Sequence, residues 1–153
     1  MAVFKILFSL LLLILAPSFA LAANCNEPNS IISVSNSASS GFEYVTFKFK
    51  TPPALPQYVV TNVVPPFIQD GSGATVTVPG KHWTQVKFEQ MTWTCSTRQL
   101  LSLPKAAIKA VKNIGQFEGQ IVYVIGRSKA SHFISTKAIK TNGYTLIKIK
   151  FKA

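Results

Sequence analysis

Residues 42–50 read Phe-Glu-Tyr-Val-Thr-Phe-Lys-Phe-Lys, and apolar and polar residues alternate along most of this stretch with a period of two. Successive side chains of a β-strand point to opposite faces, so the pattern predicts a strand with one buried and one exposed face. The predicted buried face holds Val45, Phe47 and Phe49. The predicted exposed face holds Thr46, Lys48 and Lys50.

The end of the chain repeats this pattern. Residues 144–152 read Tyr-Thr-Leu-Ile-Lys-Ile-Lys-Phe-Lys and follow Asn142-Gly143, a dipeptide typical of hairpin turns. The apolar face of this predicted strand holds Ile147, Ile149 and Phe151, and the opposite face holds Lys148, Lys150 and Lys152. If both strands belong to one sheet, their lysines can merge into a single basic patch.

Shorter strand signals recur along the rest of the chain, separated by glycine and proline residues. They lie at residues 58–64, 74–78, 83–91, 120–125 and 133–139. Residues 104–113 fit either a short helix or a strand. The whole organisation predicts an all-β fold, either an antiparallel β-sandwich or a small open barrel, with at most one short helix.

The first 22 residues are typical of a secretory signal peptide. One cation, Lys5, precedes an apolar run that is shorter than the roughly 20 residues needed to span a bilayer, and the small-residue site Ala20-Leu21-Ala22 follows. We expect an exported protein, periplasmic or extracellular, without a transmembrane segment in the mature chain. Residues 23–40 are rich in serine and asparagine and are predicted as a polar linker, apart from a possible short strand at residues 31–34, which leaves residues 41–153 as the β domain.

Cys25 and Cys95 are the only two cysteines. An exported protein meets an oxidising compartment, so we predict a Cys25–Cys95 disulfide that ties the amino-terminal tail to the domain. Their number and spacing fit neither a CxxC redox motif nor a cysteine-rich zinc site. Asn24 stands where a lipoprotein carries a small apolar residue, which argues against acylation of Cys25.

The charge balance is strongly basic. The chain holds 16 Lys and Arg residues against five Asp and Glu residues, and the leader contains one of the cations, so the mature chain carries 15 against 5, a net charge of +10. Such a protein favours anionic partners. Nucleic acid is a poorer candidate than an envelope polymer, because the aromatic residues follow the periodicity of a core instead of forming a stacking platform.

Residues suited to catalysis are few. His82 and His132 have no second histidine at metal-ligand spacing, and Ser72 lies between two glycines in a stretch that fits a turn. Asp70 and Glu118 are a conceivable glycosidase pair, although hydrogen bonding to backbone amides is the simpler role for both. We predict no catalytic residue, no metal site and no cofactor.

Four local patterns follow one another along the chain. They are Gly41-Phe42-Glu43-Tyr44-Val45-Thr46-Phe47, Pro56-Gln57-Tyr58-Val59-Val60, Ile68-Gln69-Asp70-Gly71-Ser72-Gly73 and Phe117-Glu118-Gly119-Gln120-Ile121-Val122-Tyr123-Val124-Ile125-Gly126, with Phe133 after them. In content and order they resemble the AMIN-like domain of secreted bacterial proteins, over about residues 41–153. The motif positions to which we assign a structural role are Asp70, Gly71, Gly73, Phe117, Glu118, Gly119 and Gly126.

The resemblance implies a β-sandwich related to the AMIN domain of cell-wall amidases and type IV pilus secretins. That domain is implied to target proteins to the envelope through peptidoglycan. The resemblance also favours a strand at residues 108–114. The chain departs from the family where Arg127 and Lys129 stand near a usually acidic position, in its more cationic last strand and in its cysteines.

The predicted function is therefore a secreted, non-enzymatic, envelope-associated binding domain that contacts peptidoglycan or another anionic envelope polymer. The predicted binding residues are Lys48, Lys50, Lys148, Lys150 and Lys152. In one alternative the lysines only protect strand edges against aggregation, and in another an exposed strand edge docks a protein partner. Trp83 and Trp93 fit either the core or a surface that stacks on sugars.

Overall fold

The computed structural model describes residues 27–50, 54–95, 100–102, 107–128 and 130–153, with the backbone alone for residues 93, 94 and 100–102. The predicted leader and Cys25 lie outside these ranges. Within them the chain forms β-strands that are labelled in chain order as β1 (Ser30–Ser39), β2 (Phe42–Lys50), β3 (Gln57–Val63), β4 (Phe67–Ile68), β5 (Thr75–Val76), β6 (His82–Glu89), β7 (Trp93–Thr94), β8 (Leu100–Ser102), β9 (Ile108–Phe117), β10 (Gln120–Arg127), β11 (Phe133–Thr141) and β12 (Tyr144–Lys152).

Two five-stranded sheets make up the domain. Sheet A has the strand order β11-β12-β2-β1-β7, sheet B has the order β3-β6-β10-β9-β8, and β4 pairs with β5 in a separate hairpin. Neighbouring strands are antiparallel except β1 and the two-residue β7. The sheets do not close into a barrel, and the predicted all-β fold is confirmed, with the two sheets packed as an antiparallel β-sandwich.

The inner faces of the two sheets share one apolar core. Sheet A contributes the alternating residues that the sequence pattern predicts, and all of them are fully buried: Val45, Phe47, Phe49, Ile147, Ile149 and Phe151. From sheet B, Phe88 and Tyr123 pack edge-on against Phe47, with ring centroids 4.9 and 5.0 Å away. Aromatic pairs in this geometry add about 0.5–1.5 kcal/mol to the stabilisation that burial alone provides.

Strand β10 is buried on both of its faces. Its inward residues belong to the core between the sheets, while Val122 and Val124 on the opposite face pack with Phe67 and Val78 from the segment that carries the β4–β5 hairpin. A strand covered on both sides has no solvated face to mark with polar residues. This explains why the signal at residues 120–125 is an almost unbroken apolar run.

The predicted linker at residues 23–40 is wrong for residues 30–39, which form a strand longer than the possible one at residues 31–34. Residues 30–39 form β1, which pairs with β2 along most of its length, so the folded domain includes this segment. Ile31 and Val34 enter the core, while serines occupy the outer face. Backbone hydrogen bonds of a strand are made whatever side chains it carries, so a serine-rich composition does not prevent pairing.

The ambiguous segment at residues 104–113 contains the start of a strand. Strand β9 runs from Ile108 to Phe117 between β8 and β10, so the expected strand at residues 108–114 is confirmed and the helix alternative is wrong. Its pairing with β10 has two register shifts. Each shift interrupts the two-residue alternation of inward and outward side chains along β9. The sequence of residues 104–113 therefore fitted a helix as well as a strand.

The turn predicted at residues 70–73 connects β4 to β5. Gly71 and Gly73 have φ angles of +82° and +68°, a region that glycine adopts without steric cost. The amide of Gln69 donates to the carbonyl of Ala74 at 2.8 Å and closes the loop. This hairpin covers part of the outer face of sheet B.

Two features relate to the expected export. Among the described residues, no helix has the length and apolar character needed to cross a bilayer. The backbone amide of Cys95 donates to the carbonyl of Ile31 at 2.7 Å, which places Cys95 beside β1. Because Cys25 lies outside the described residues, the disulfide stays a prediction.

Candidate functional site

The two lysine-bearing strands lie side by side in sheet A. Strands β2 and β12 pair antiparallel, with Lys148 opposite Thr46 and Lys150 opposite Tyr44. Their inward residues fill the core, so their alternate residues share one outer surface. We define the lysine face as this outer surface of sheet A, which carries Lys48, Lys50, Lys148, Lys150 and Lys152.

Aromatic rings lie close to four of these five ammonium groups. The Lys48 Nζ lies 3.9 Å from the centroid of the Tyr144 ring, and the Lys50 Nζ lies 5.9 Å from the same ring. On the neighbouring part of the face, the Lys150 Nζ lies 3.7 Å from the Phe42 ring centroid and the Lys152 Nζ lies 5.4 Å from it. A ring attracts a cation without neutralising its charge, so the ammonium groups stay able to bind an anion.

A further lysine extends the lysine face onto β11. Lys137 is exposed and stands directly opposite Lys148 in the pairing of β11 with β12. Like charges directly opposite each other on neighbouring strands are destabilising. The sequence interpretation missed Lys137 because residues 133–139 gave only a weak strand signal, and the β11–β12 register is what places it.

No acidic side chain lies on the lysine face: all five Asp and Glu side chains fall within the described residues, and none forms an ion pair with a lysine of this face. Glu43 points into the protein, Glu27 precedes β1, and Asp70 and Glu118 lie in turns next to sheet B. Glu89 lies on sheet B, where it pairs with Lys87 at 3.0 Å. No Asp or Glu side chain therefore neutralises the lysines of this face.

Hydroxyl groups border the lysine face along β1. Ser33 is paired with Lys48, Ser35 with Thr46 and Ser37 with Tyr44. The surface thus combines cations, which pair with carboxylates, with aromatic rings and with hydroxyls that both donate and accept hydrogen bonds. Together these groups can pair with anions and exchange hydrogen bonds with polar groups.

The position of β2 and β12 bears on the edge-protection alternative. Both are interior strands, hydrogen-bonded to a neighbour on each side. Lysines oppose edge-to-edge aggregation when they lie on an edge strand, because the backbone groups along its outer side are unpaired. That role fits Lys137 and Lys140 on the edge strand β11, but it does not account for the lysines of β2 and β12.

Glu43 is a buried carboxylate that joins the two sheets. Its side chain is 2% exposed, and its Oε1 and Oε2 accept hydrogen bonds from the backbone amides of Ala107 at 2.9 Å and Ile108 at 2.8 Å. The interaction fixes the start of β9 against β2. The alternation of β2 predicts that Glu43 lies on the same face as Val45 and is therefore buried. The pattern does not predict which backbone amides donate to its carboxylate.

Arg127, which departs from the family pattern, is also buried. Its guanidinium donates to the carbonyl of Ser131 and to Asn62 Oδ1, lies 5.7 Å from the Phe151 ring centroid, and forms no ion pair with a described residue. Burial removes water from the charged group and lowers the pKa of Arg127 from its usual value.

An open cavity of about 520 Å³ lies at Arg127. We call it the Arg127 pocket and define it by the polar and aromatic residues that line it, which are Asn62, Lys81, His82, Trp83 and Arg127. The Trp83 ring is held in place, because its Nε1 donates to the carbonyl of Val78 at 2.9 Å and its edge packs against Phe67. Asn62 Oδ1 accepts a second hydrogen bond, from Thr84 at 3.3 Å.

Two glycines allow the wall of this pocket to form. A Cβ atom at Gly126 would collide with the carbonyl of Pro79, and one at Gly80 would meet the backbone of Gly126 and Arg127. The turn before β6 therefore crosses β10 at backbone contact distance, and the amide of Lys81 donates to the carbonyl of Arg127 at 2.7 Å. Gly126 was predicted as a structural motif residue, and this contact gives a physical reason for it.

The other motif residues lie around sheet B. Asp70 lines a shallow cavity of about 400 Å³ whose lining includes no second carboxylate, and its own carboxylate occupies the space that a side chain at Gly115 would need. Glu118 and Gly119 form the turn between β9 and β10, with φ angles of +47° and +75°. Phe117 is 54% exposed beside that turn.

The residues considered for catalysis have separate surroundings. His82 lines the Arg127 pocket, whereas His132 lies in the loop before β11, where its carbonyl accepts the amide of Lys152 at 3.0 Å. In the ranges that the structure describes, no group of three or more His, Cys, Asp or Glu could hold a metal ion. Trp83 is half-buried in the outer cluster of sheet B, and the side chain of Trp93 lies outside the described part of the structure.

Comparison with known proteins agrees with this architecture. The family model of the AMIN-like domain matches residues 30–145, which begins at the first residue of β1 and includes strands of both sheets. No curated protein and no solved structure matches the chain. Since the family match covers well over half of the sequence, the chain belongs to the AMIN-like domain family.

Proposed function

We propose that this protein is an exported, non-enzymatic binding domain that holds an anionic polymer of the cell envelope, peptidoglycan in particular, on its lysine face. The observation that carries the proposal is a set of lysines on two interior strands that share one surface with no acidic side chain. Membership of the AMIN-like family supports an envelope-associated binding role. The predicted leader supports export.

The spacing of the lysine face suits a polymer with repeated charges. Lysines two residues apart on a strand are separated by about 6.8 Å, and neighbouring strands are about 4.8 Å apart. A chain of sugars and peptides that lies across β2 and β12 can therefore meet several ammonium groups at once. Each cation near an anionic surface contributes about 1 kcal/mol, so the attraction becomes substantial only when several act together.

Changing Lys148, Lys150 and Lys152 together to Gln is expected to weaken binding to purified peptidoglycan sacculi by more than about tenfold, because about 1 kcal/mol is lost for each cation. The measurement is sedimentation of the protein with sacculi at low salt and at high salt. High salt is expected to weaken the binding of the wild-type protein to sacculi as well, because salt screens exposed charges.

The matched control changes Lys87, Lys109 and Lys112 of sheet B to Gln, which removes the same charge from the other sheet. This control is expected to bind sacculi as the wild-type protein does. Equal weakening in both triple variants would mean that net charge, and not the lysine face, determines binding. Absence of wild-type binding at low salt would contradict the proposal itself.

A second candidate function rests on the free edge of β3. Strand β3 is the terminal strand of sheet B, and unlike the terminal strand β11 of sheet A it carries no lysine. Strand β3 has seven residues without charge or proline and includes Val59, which is 53% exposed. An uncharged edge of this length can accept an extended segment of a partner protein as an added strand.

The double change Val59→Lys and Thr61→Lys is expected to abolish capture of an envelope protein that crosslinks to the β3 edge of the wild-type protein, because charges on an edge strand oppose pairing. The measurement is crosslinking in envelope extracts at low and high salt. Capture is expected to persist in high salt and in the Lys148, Lys150 and Lys152 variant. Capture that is lost with those lysines would contradict edge docking.

A further inference from the structure

We propose that the Arg127 pocket is a second anion-binding site, separate from the lysine face, that takes the carboxylate of a small organic molecule. The site lies at the ends of β3, β6 and β10 in sheet B, whereas the lysine face belongs to sheet A. The proposal therefore does not depend on how the lysine face functions.

The buried guanidinium has unused capacity to donate hydrogen bonds. Arg127 is 5% exposed and its side chain offers five N–H donors, of which one bonds the carbonyl of Ser131 and one bonds Asn62. Its Nε is buried without a hydrogen-bond partner in the described structure. Both of its acceptors are neutral, so the charge of the group is desolvated without a balancing anion.

The other residues that line the pocket add positive charge and no negative charge. Lys81 and His82 are exposed at the pocket and Asn62 provides a polar wall, while no carboxylate belongs to its lining. Arg127 and Lys81 both line the cavity, and two cations there attract a negatively charged ligand. A planar guanidinium matches a carboxylate better than it matches a spherical ion, because its N–H groups form a fixed fork.

The apolar part of the lining indicates what the carboxylate is attached to. The fixed ring of Trp83 and the side chains of Val63 and Val64 form one side of the cavity. Such a surface packs against a carbon skeleton and offers nothing to a free inorganic ion. A volume of about 520 Å³ has room for a dipeptide or a sugar acid as well as for a single carboxylate group.

The test is a titration of the purified, ¹⁵N-labelled protein with acetate, N-acetylmuramic acid and D-alanyl-D-alanine, against chloride at equal ionic strength. The NMR signals of the Trp83 Nε1–H and the Arg127 Nε–H report on the pocket. We expect both signals to shift saturably with the carboxylates and not with chloride. We also expect at least one of the larger carboxylates to bind more tightly than acetate, and the better of the two identifies whether a peptide or a sugar acid is preferred.

Lys81→Gln is the informative variant, because Lys81 is exposed and its replacement is expected to preserve the fold. It is expected to weaken the affinity for the carboxylates about threefold, the effect of one partly screened charge. Lys137→Gln, on sheet A, removes the same charge and is expected to leave the affinity unchanged. Arg127→Lys, which keeps a cation but loses the fork, is expected to abolish the saturable shift of Trp83.

Three results would overturn the inference. They are the absence of a saturable shift in the wild-type protein, an equal response to chloride, and equal weakening by Lys81→Gln and Lys137→Gln. The variant that changes Lys148, Lys150 and Lys152 to Gln is expected to keep the acetate response while it loses sacculus binding. The tests therefore distinguish a failure of the proposal for the Arg127 pocket from a failure of the proposal for the lysine face.

Discussion

Glu43→Gln is expected to lower the free energy of unfolding by about 3 kcal/mol, because hydrogen bonds to a charged acceptor contribute about 1.5–3 kcal/mol each. The Glu43 carboxylate accepts the amides of Ala107 and Ile108 with its two oxygens. Glutamine keeps one acceptor and points its NH₂ group at the other amide, so two donors then face each other in a buried site. Urea denaturation of both proteins measures the change.

Glu89→Gln provides the control, since Glu89 also lies in a strand but its side chain is 36% exposed and pairs with Lys87. This change is expected to alter stability by less than about 0.5 kcal/mol. Hydrogen exchange at Ala107 and Ile108 is expected to become faster in Glu43→Gln alone. A Glu43→Gln protein as stable as the control would mean that Glu43 does not hold β9 against β2.

Gly126→Ala is expected to destabilise the protein by about 3 kcal/mol or more, at the upper end of the cost of inserting an atom into a packed site. The new Cβ would collide with the carbonyl of Pro79, which is backbone and cannot rotate away. The turn before β6 must then move away from β10. Urea denaturation measures the loss, and Trp83 fluorescence reports the movement because Trp83 donates to Val78 in the displaced segment.

Gly143→Ala separates the effect of space from that of backbone conformation. Gly143 has a φ of +81° and no neighbouring atom where its Cβ would be, so alanine there is strained only by its backbone. That strain is expected to cost about 1 kcal/mol. A Gly126→Ala protein no less stable than Gly143→Ala would contradict the close approach of Pro79 to Gly126.

The faces of β2 and β12 could be read from the sequence because one side of each strand is buried and the other is solvated. The same parity puts Glu43, two residues before Val45, on the inner face, whereas β10 is buried on both faces and only the structure places Arg127 on the face of Ile125. The sequence pattern did not show which groups the side chains of Glu43 and Arg127 contact. The amides that bind Glu43 are 64 and 65 residues away, and no local pattern predicts a contact of that range.

Strand β1 is an element that the sequence interpretation largely missed. Its serine-rich sequence was interpreted as a linker with at most a short strand at residues 31–34, because composition reports side chains, whereas pairing with β2 depends on backbone groups that every residue carries. Residues 104–113 were ambiguous for a different reason, since the register shifts of β9 against β10 interrupt the alternation that distinguishes a strand from a helix.

By itself, the sequence determined the all-β class of this protein, the core-facing residues of β2 and β12 and the alignment of lysines along each strand. These properties depend on the two-residue period of a strand, which is local. Only the tertiary structure decided that β2 and β12 are neighbours inside sheet A, that β3 is an uncharged edge, and that Arg127 lies buried beneath a pocket without an acidic partner. Strand order and the surroundings of a buried charge arise from contacts between residues far apart in the chain, and a local pattern carries no information about them.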